Sequence, residues 1–266
     1  SGHVRAAARV VAMAGRARPD GLPGDPAAGL RDRAEAVAQG LGALHAMTPH
    51  DLDAVAADAD ARARFCAELR RRGFAAVRAP ARMHASVRGM RRAAAAFFAL
   101  PPAVKEGLGD FTWVGSSSSV YAGYRRPGAG GSGAASGNEF VEVRVAQDLR
   151  VLPEHLSVVP GLAEAARDLV GHLHAAAHAL LGAMAEDLGA PGDVFTRACD
   201  PRAIADMAPG AALSSALRLC HYPGQGPDSA PGPSEVLLEE HTDSTFITLS
   251  LLDPSCPGLQ VRPAAG

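Results

Sequence analysis

The sequence has few aromatic residues, no long apolar run and no paired-cysteine motif. Aromatic residues make up 5% of the 266 positions, and no apolar stretch approaches the roughly 18 residues of a membrane-spanning helix. The four cysteines, Cys66, Cys199, Cys220 and Cys256, are far apart and form no C-x-x-C pair. This spacing indicates neither a structural zinc site nor a disulfide framework, and it is typical of a reducing compartment.

The sequence also lacks an excess of charge of one sign. Its 26 basic and 28 acidic residues give a net charge of -2, so neither nucleic acid nor a membrane surface is expected as a partner. The hydrophobic content of 47% is that of a globular protein with a sizeable core. We expect a cytoplasmic monomer. Residues 1–19 contain arginines and no acidic residue, which leaves organellar targeting open.

The first part of the chain predicts a poorly ordered extension followed by helices. Residues 1–47 contain a turn-rich run and no strong periodic pattern. Thr48 and Pro49 predict a helix start, and this helix should continue to Arg72 and end at Gly73. A strand at 74–78 and a helix at 81–100, stopped by two prolines, are predicted next.

The middle of the chain predicts a Gly- and Ser-rich loop, two strands and one long helix. The loop covers 115–137, and the strands lie at 121–125 and 139–145. Residues 160–189 predict a helix with one apolar face, formed by Leu162, Leu169, Leu173, Leu180, Met184 and Leu188. His174 and His178 have a metal-binding spacing but fall off that face without a carboxylate, so a solvated helix edge is favoured.

Strand patterns dominate the rest of the chain. Strands are predicted at 217–222, 235–240, 245–252 and 259–262. Because helices come first and strands later, the order favours an α+β fold with an antiparallel sheet over a doubly wound fold. We divide the chain into the extension 1–47, a helical and strand region 48–150, and a core region 151–266.

His241 and Asp243 are the strongest candidate site residues. On a strand, residues two apart point to the same side, so the imidazole and the carboxylate would project together. They match two of the three ligands in the 2-His-1-carboxylate site of non-haem Fe(II) oxygenases. The bare pair arises easily by chance, and a solvated His and Asp is the plain alternative. The alternating apolar run that follows, residues 246–251, favours the metal interpretation.

Three stretches in the same order resemble the plant-type, isopenicillin N synthase-like group of 2-oxoglutarate- and Fe(II)-dependent dioxygenases. The likeness runs from about residue 50 to the end of the sequence. One stretch joins Gly73-Phe74 to a Phe-Phe-x-Leu-Pro-x-x-x-Lys segment that ends at Lys105. Another, residues 219–223, stands where the family has Asn-x-Tyr-Pro-Pro. The last and most specific is His241-Thr242-Asp243 with residues 258–261 downstream.

The resemblance implies a double-stranded β-helix (jelly roll) wrapped by N-terminal helices. It implies that His241 and Asp243 bind Fe(II) and that Tyr222 hydrogen-bonds 2-oxoglutarate. The reaction would be the hydroxylation or desaturation of a small organic molecule with O2, with 2-oxoglutarate converted to succinate. Ascorbate is a further cofactor candidate, and a family relative that binds Fe(II) but uses ascorbate, or no cosubstrate, is a further alternative. Phe246 and Arg218 are candidates for the substrate side, with a core aromatic and a surface charge as the plain alternatives.

The sequence departs from the family pattern at several positions. Cys220 stands where the family usually has Asn, and Gly224 replaces the second Pro. The family's distal His and Arg-x-Ser come after the last residue shown, so we expect an incomplete jelly roll and a 266-residue chain that is inactive alone. The alternative is a non-catalytic, degenerate dioxygenase scaffold with weak metal binding.

Overall fold

The computed structural model describes residues 47–108, 121–125, 139–221, 243 and 245–252, and the backbone of strands at 9–14 and 112–113. The chain divides into two compact units, each built from separate stretches. The first unit comprises residues 1–84, 176–195 and 242–266, and the second comprises 85–175 and 196–241. The sequence-based division at residues 47 and 150 stays a prediction.

Helices and strands are numbered in chain order within the described residues. The strands are β1 (Arg9–Ala14), β2 (His50–Asp51), β3 (Phe74–Arg78), β4 (Thr112–Trp113), β5 (Tyr121–Arg125), β6 (Glu139–Val145), β7 (Val151–Leu152), β8 (Leu217–His221) and β9 (Ile247–Leu252). The α-helices are α1 (Leu52–Ala57), α2 (Ala59–Arg72), α3 (Ala81–Phe98), α4 (Pro102–Gly107) and α5 (Leu162–Asp187). Short 3-10 helices lie at Glu154–Val158, Thr196–Ala198 and Ile204–Asp206.

The sheet of the first unit has the strand order β2-β3-β1-β9. β2 and β3 are parallel, whereas β1 is antiparallel to both β3 and β9. The poorly ordered extension over residues 1–47 stays a prediction, but the sequence patterns did not predict β1 within it. The two strands that pair with β1 are distant from it in sequence. Pairing between distant segments cannot be predicted from the turn residues near β1.

The predicted helix over residues 48–72 is two helices. Asp51 caps α1 by accepting a 3.0 Å hydrogen bond from the Ala54 amide, and Asp58 caps α2 by accepting a 2.7 Å bond from the Ala61 amide. Asp58 has an extended backbone, and its side chain satisfies an otherwise unpaired amide of the new helix. Gly73 ends α2 in the left-handed conformation (φ 79°), which confirms the predicted stop.

The sheet of the second unit is antiparallel and centred on β6. One edge of β6 pairs with β5 and β7, its other edge pairs with β8, and β4 pairs with β5. The predicted strands at 121–125 and 139–145 are confirmed. Pro102 does more than stop α3: it occupies the first turn of α4, where its missing amide hydrogen costs nothing.

The long helix α5 confirms the prediction for residues 160–189 with slightly shorter ends. Leu162, Leu169 and Leu180 are buried, whereas Leu188 lies beyond the helix and is 63% exposed. The prediction of a solvated edge is wrong for His174. This side chain is buried, and its Nε2 lies 2.9 Å from the Pro201 carbonyl oxygen. A distant stretch of chain therefore covers a position that looked solvated in isolation.

The described residues form a mixed architecture of helices with mainly antiparallel sheets, in agreement with the α+β prediction. Among the described helices, none is both long and apolar enough to cross a membrane. The predicted strands at 235–240 and 259–262 lie outside the described residues, as does most of the 115–137 loop.

Candidate functional site

The structure places only part of the predicted metal and cosubstrate site. Tyr222 and His241 lie outside the described residues, so their predicted roles stay predictions. Asp243 is described and half-buried, a few residues before β9. Within the ranges that the structure describes, no group of three His, Cys, Asp or Glu side chains could hold a metal ion.

Among the strands that the structure describes, β9 is the last in its sheet, and it begins a few residues after Asp243. Thr245 and Thr248 share a 2.7 Å hydrogen bond between their hydroxyl oxygens. The strand predicted at 245–252 is observed from residue 247. The Phe246 ring is 54% exposed, and its centroid lies 5.3 Å from that of Phe195. Phe246 is therefore not a core aromatic, and its assignment to the substrate side stays a prediction.

Strand β8 carries the residues that lead to Tyr222. Arg218 donates a 2.6 Å hydrogen bond to the Glu142 carboxylate, and its guanidinium lies 4.9 Å from the centroid of the Phe140 ring. Cys220 is exposed. Because side chains alternate along a strand, Arg218 and Cys220 share one face of β8, and His221 projects from the other.

A polar cluster, here called the Glu139 network, joins four side chains of the second unit: Lys105, Tyr124, Glu139 and His221. Lys105 Nζ lies 2.9 Å from Oε1 and 2.8 Å from Oε2 of Glu139. The Tyr124 hydroxyl donates to Oε2, and His221 Nδ1 lies 2.9 Å from Oε1. One carboxylate therefore receives donors from α4, β5 and β8.

Aromatic rings and a backbone carbonyl enclose the Glu139 network. Lys105 is 5% exposed, and its Nζ also donates a 2.8 Å hydrogen bond to the Phe98 carbonyl oxygen. The Phe98 ring is stacked on the His221 imidazole, with centroids 5.2 Å apart and an interplanar angle of 23°. The buried Phe97 meets the Tyr124 ring edge to face at 6.0 Å. The buried ammonium thus has both a carboxylate and a carbonyl partner.

Hydrogen bonding sets the ionisation of Glu139. Partial burial by itself would raise the pKa of this carboxyl, but the hydrogen bonds from Lys105, Tyr124 and His221 outweigh it and lower the pKa. Glu139 is therefore ionised at neutral pH. An ionised carboxylate only accepts hydrogen bonds, so His221 Nδ1 carries the hydrogen of the shared bond.

A second charged cluster in the same unit holds residues 213–215. The buried Arg144 donates to the Ser214 carbonyl oxygen. Asp200 accepts hydrogen bonds from the amides of Ser214 (2.8 Å) and Ser215 (2.9 Å) and from the Ser215 hydroxyl (3.0 Å). These contacts are to the backbone and nearby side chains, which is typical of a loop held in one conformation.

The Glu139 network and the rings around it include residues from two of the three stretches that carry the family resemblance. Phe97, Phe98 and Lys105 come from the Phe-Phe-x-Leu-Pro-x-x-x-Lys segment, and His221 comes from the segment at 219–223. Glu139 joins the two segments, yet no sequence pattern identifies it. The residues next to Glu139 in the sequence do not indicate its hydrogen-bond partners, because these partners are 15 to 82 residues away.

Comparison with known proteins finds a likeness to a solved structure. No family model matches the chain, and no curated protein matches it. A solved structure from Caulobacter crescentus, provisionally assigned to the 2OG-Fe(II) oxygenase family, matches with a TM-score of 0.51 and 22% sequence identity. The match covers 72% of this chain and 59% of that protein, so the chain spans less than two thirds of the length of this neighbour. At this identity the likeness shows a shared fold.

Proposed function

We propose that this chain is part of a 2-oxoglutarate- and Fe(II)-dependent oxygenase that hydroxylates or desaturates a small organic molecule. The fold likeness to the Caulobacter crescentus protein carries the proposal. The His241-x-Asp243 pair supports it because the pair precedes β9 in the sequence, and segments beside regular strands commonly present site residues. In this proposal the core is a double-stranded β-helix that works as a monomer.

The donor chemistry of the proposed site fits iron. One imidazole and one carboxylate are ligands of the 2-His-1-carboxylate class, and the carboxylate that the structure describes, Asp243, is half-buried. His241 and Asp243 would hold the metal. The bound Fe(II) would supply activation of O2 coupled to the oxidative decarboxylation of 2-oxoglutarate. The protein's own share is to bind and orient the reactants and to exclude water.

The remaining roles in this proposal belong to the protein side chains. Tyr222 would donate its hydroxyl hydrogen to a carboxylate of 2-oxoglutarate. Phe246 offers an exposed aromatic face to a small-molecule substrate.

Cys220 favours a second candidate function, a non-catalytic scaffold that retains weak metal binding. It is an exposed thiol at the position where the resemblance implies an amide that contacts the cosubstrate. A thiol is a weak hydrogen-bond donor and acceptor, so it replaces an amide poorly. The two candidate functions predict different behaviour towards 2-oxoglutarate.

The first prediction concerns Asp243 in the full-length protein that carries this chain. Under anaerobic conditions, Fe(II) with 2-oxoglutarate should produce a visible charge-transfer band. Asp243→Ala should abolish this band because it removes a carboxylate ligand, while the exposed Asp60→Ala should leave it intact. Absorption spectroscopy measures both.

Two outcomes would contradict the assignment. Persistence of the band in Asp243→Ala would show that this carboxylate is not a ligand. Absence of the band from the wild-type protein, with weak Fe(II) binding retained, would favour the scaffold over the oxygenase.

A further inference from the structure

We propose that the exposed face of helix α3 is a docking surface for an acidic helix of a partner protein. All residues of this surface, here called the α3 arginine face, are exposed and lie in the second unit. They are Ala85, Arg88, Arg92, Ala95 and Ala96. The proposal concerns a protein partner and goes beyond the proposed oxygenase function, on which it does not depend.

Helix α3 has one buried side and one exposed side. Val87, Met90 and Phe97 are at most 3% exposed and mark the side that faces the core. On a helix of 3.6 residues per turn, Arg88 and Arg92 fall together on the opposite side. Every exposed residue of α3 is an alanine or an arginine. The only long side chains that this helix presents to solvent are therefore cationic.

The two arginines lie about one helical turn apart without a compensating charge. The sequence of α3 contains four arginines and no acidic residue. Within the part of the chain that the structure describes, Arg88 and Arg92 form no ion pair with a carboxylate. The equally exposed Arg150 and Arg218 each form one. Because like charges four residues apart destabilise a helix, an anionic partner that neutralises both would relieve this repulsion.

The alanines of the α3 arginine face favour a helix as that partner. Side chains this short let a second helix approach to about 8 Å between axes. Glutamates four residues apart on that helix are about 6 Å apart along its axis, the same rise that separates Arg88 from Arg92. Each guanidinium can then donate two hydrogen bonds to one carboxylate. An extended segment fits less well, because the backbone groups of α3 are already used within the helix.

The same surface suits nucleic acid and membranes poorly. The exposed residues of α3, a helix that the structure describes in full, include no aromatic ring on which a base could stack. They also include no large apolar side chain that could enter a bilayer. The net charge of -2 gives the chain no long-range attraction to either polyanion. An acidic protein helix is therefore the anion that the surface favours.

The test measures binding of a defined acidic helix to the full-length protein that carries this chain. The probe is a fluorescent peptide of about 20 residues with glutamate at every fourth position and alanine between. Fluorescence anisotropy at low salt measures its affinity. Arg88→Glu should weaken binding about tenfold, because repulsion replaces a charged hydrogen bond. The matched control Arg202→Glu makes the same charge change at another exposed residue of the second unit and should weaken binding less than about twofold.

Two further measurements separate docking from folding and from charge. Arg88→Glu places a glutamate four residues before Arg92, which is an attractive pair, so its thermal unfolding midpoint should not fall below that of wild type. The double variant Ala85→Gln with Ala95→Gln keeps every charge and suits a helix. Its longer side chains should hold the peptide away from α3 and weaken binding about fivefold.

Four results would overturn the proposal. Wild-type protein that binds no peptide up to about 1 mM would lack the surface. An equal loss in Arg202→Glu would mean attraction by charge alone, and wild-type affinity in the glutamine double variant would mean that no helix packs on α3. Tighter binding of duplex DNA or phosphatidylserine vesicles than of the peptide, lost in Arg88→Glu, would assign the surface to another class of partner. None of these results decides the proposed oxygenase function, which the charge-transfer band tests separately.

Discussion

Two ion pairs, one in each compact unit, differ in how deeply they are buried. In the first unit, Arg82 and Asp53 form a bidentate pair at the surface, with both side chains more than half exposed. In the second unit, the Lys105 and Glu139 side chains are 6% and 15% exposed. The same kind of ion pair thus occurs in water in one unit and in a protein interior in the other.

The difference in burial decides what each pair contributes. An exposed pair gains little because water solvates its partners equally well when they separate. A buried pair has already lost that solvation, so each partner depends on the other. We infer that the Arg82–Asp53 pair adds little to the stability of the first unit, whereas the Glu139 network holds secondary-structure elements of the second unit in register.

The largest expected effect is that of Glu139→Gln. The substitution keeps the shape of the side chain but leaves the Lys105 ammonium buried beside a neutral amide. We expect the free energy of unfolding to fall by about 3–5 kcal/mol, measured by denaturant unfolding at pH 7. The matched control is Glu142→Gln on the same strand. Its partner Arg218 is exposed and stays solvated, so the loss should be less than about 1 kcal/mol.

Equal losses in Glu139→Gln and Glu142→Gln would break the comparison. They would mean that burial of the cation has no special energetic weight here. A loss of stability confined to Glu139→Gln would support the inference that a buried cation depends more strongly on its carboxylate partner than an exposed one does.

An intermediate effect is expected from Asp200→Asn. Burial by itself would raise the pKa of Asp200, but hydrogen bonds from Ser214 and Ser215 outweigh it and lower the pKa. The ionised carboxylate therefore stabilises the folded state fully above the unfolded pKa of about 3.9, and this stabilisation is lost as the pH falls through the lower folded pKa. At pH 7 we expect Asp200→Asn to cost about 1.5–3 kcal/mol.

The pH dependence provides the check on Asp200. Urea unfolding of wild type and Asp200→Asn should give stabilities that differ at pH 7 and converge towards pH 3. A difference that stays constant from pH 7 to pH 3 would argue against a role for the charge.

The smallest effect is expected from Asp53→Asn. Its carboxyl has a lowered pKa because Arg82 donates hydrogen bonds to it, yet both side chains are solvated. We expect a thermal unfolding midpoint indistinguishable from that of wild type. A clear decrease in the midpoint would show that the exposed Arg82–Asp53 pair stabilises the fold. The difference between the exposed and the buried ion pair would then be smaller than we infer.

Local sequence patterns predicted much of the fold. The strands β3, β5 and β6 were predicted with the limits that the structure shows, and Gly73 was predicted as a helix stop. Each rests on residues adjacent in the chain, such as the left-handed conformation that glycine accepts without strain. What the sequence did not show depends on distant partners, as for β1 or the burial of His174.

The candidate site was predicted in a similarly partial way. Asp243 was found from its spacing to His241, and Lys105 was noted only as part of a motif. Glu139 was missed because its role depends on three hydrogen-bond donors that only the fold brings together. Spacing identifies residues that lie on one strand, but it cannot identify a network assembled from four elements.

The position of β1 has a consequence for the synthesis of the protein. β1 lies between β3 and β9, and its partners in β9 are near the opposite end of the described chain. A ribosome makes β1 first, and β3 can cover one of its edges soon afterwards. The other edge stays uncovered until residues 247–252 have left the exit tunnel. Between the synthesis of β1 and that of β9, the nascent chain therefore carries an open strand edge, the kind of surface on which neighbouring chains can aggregate.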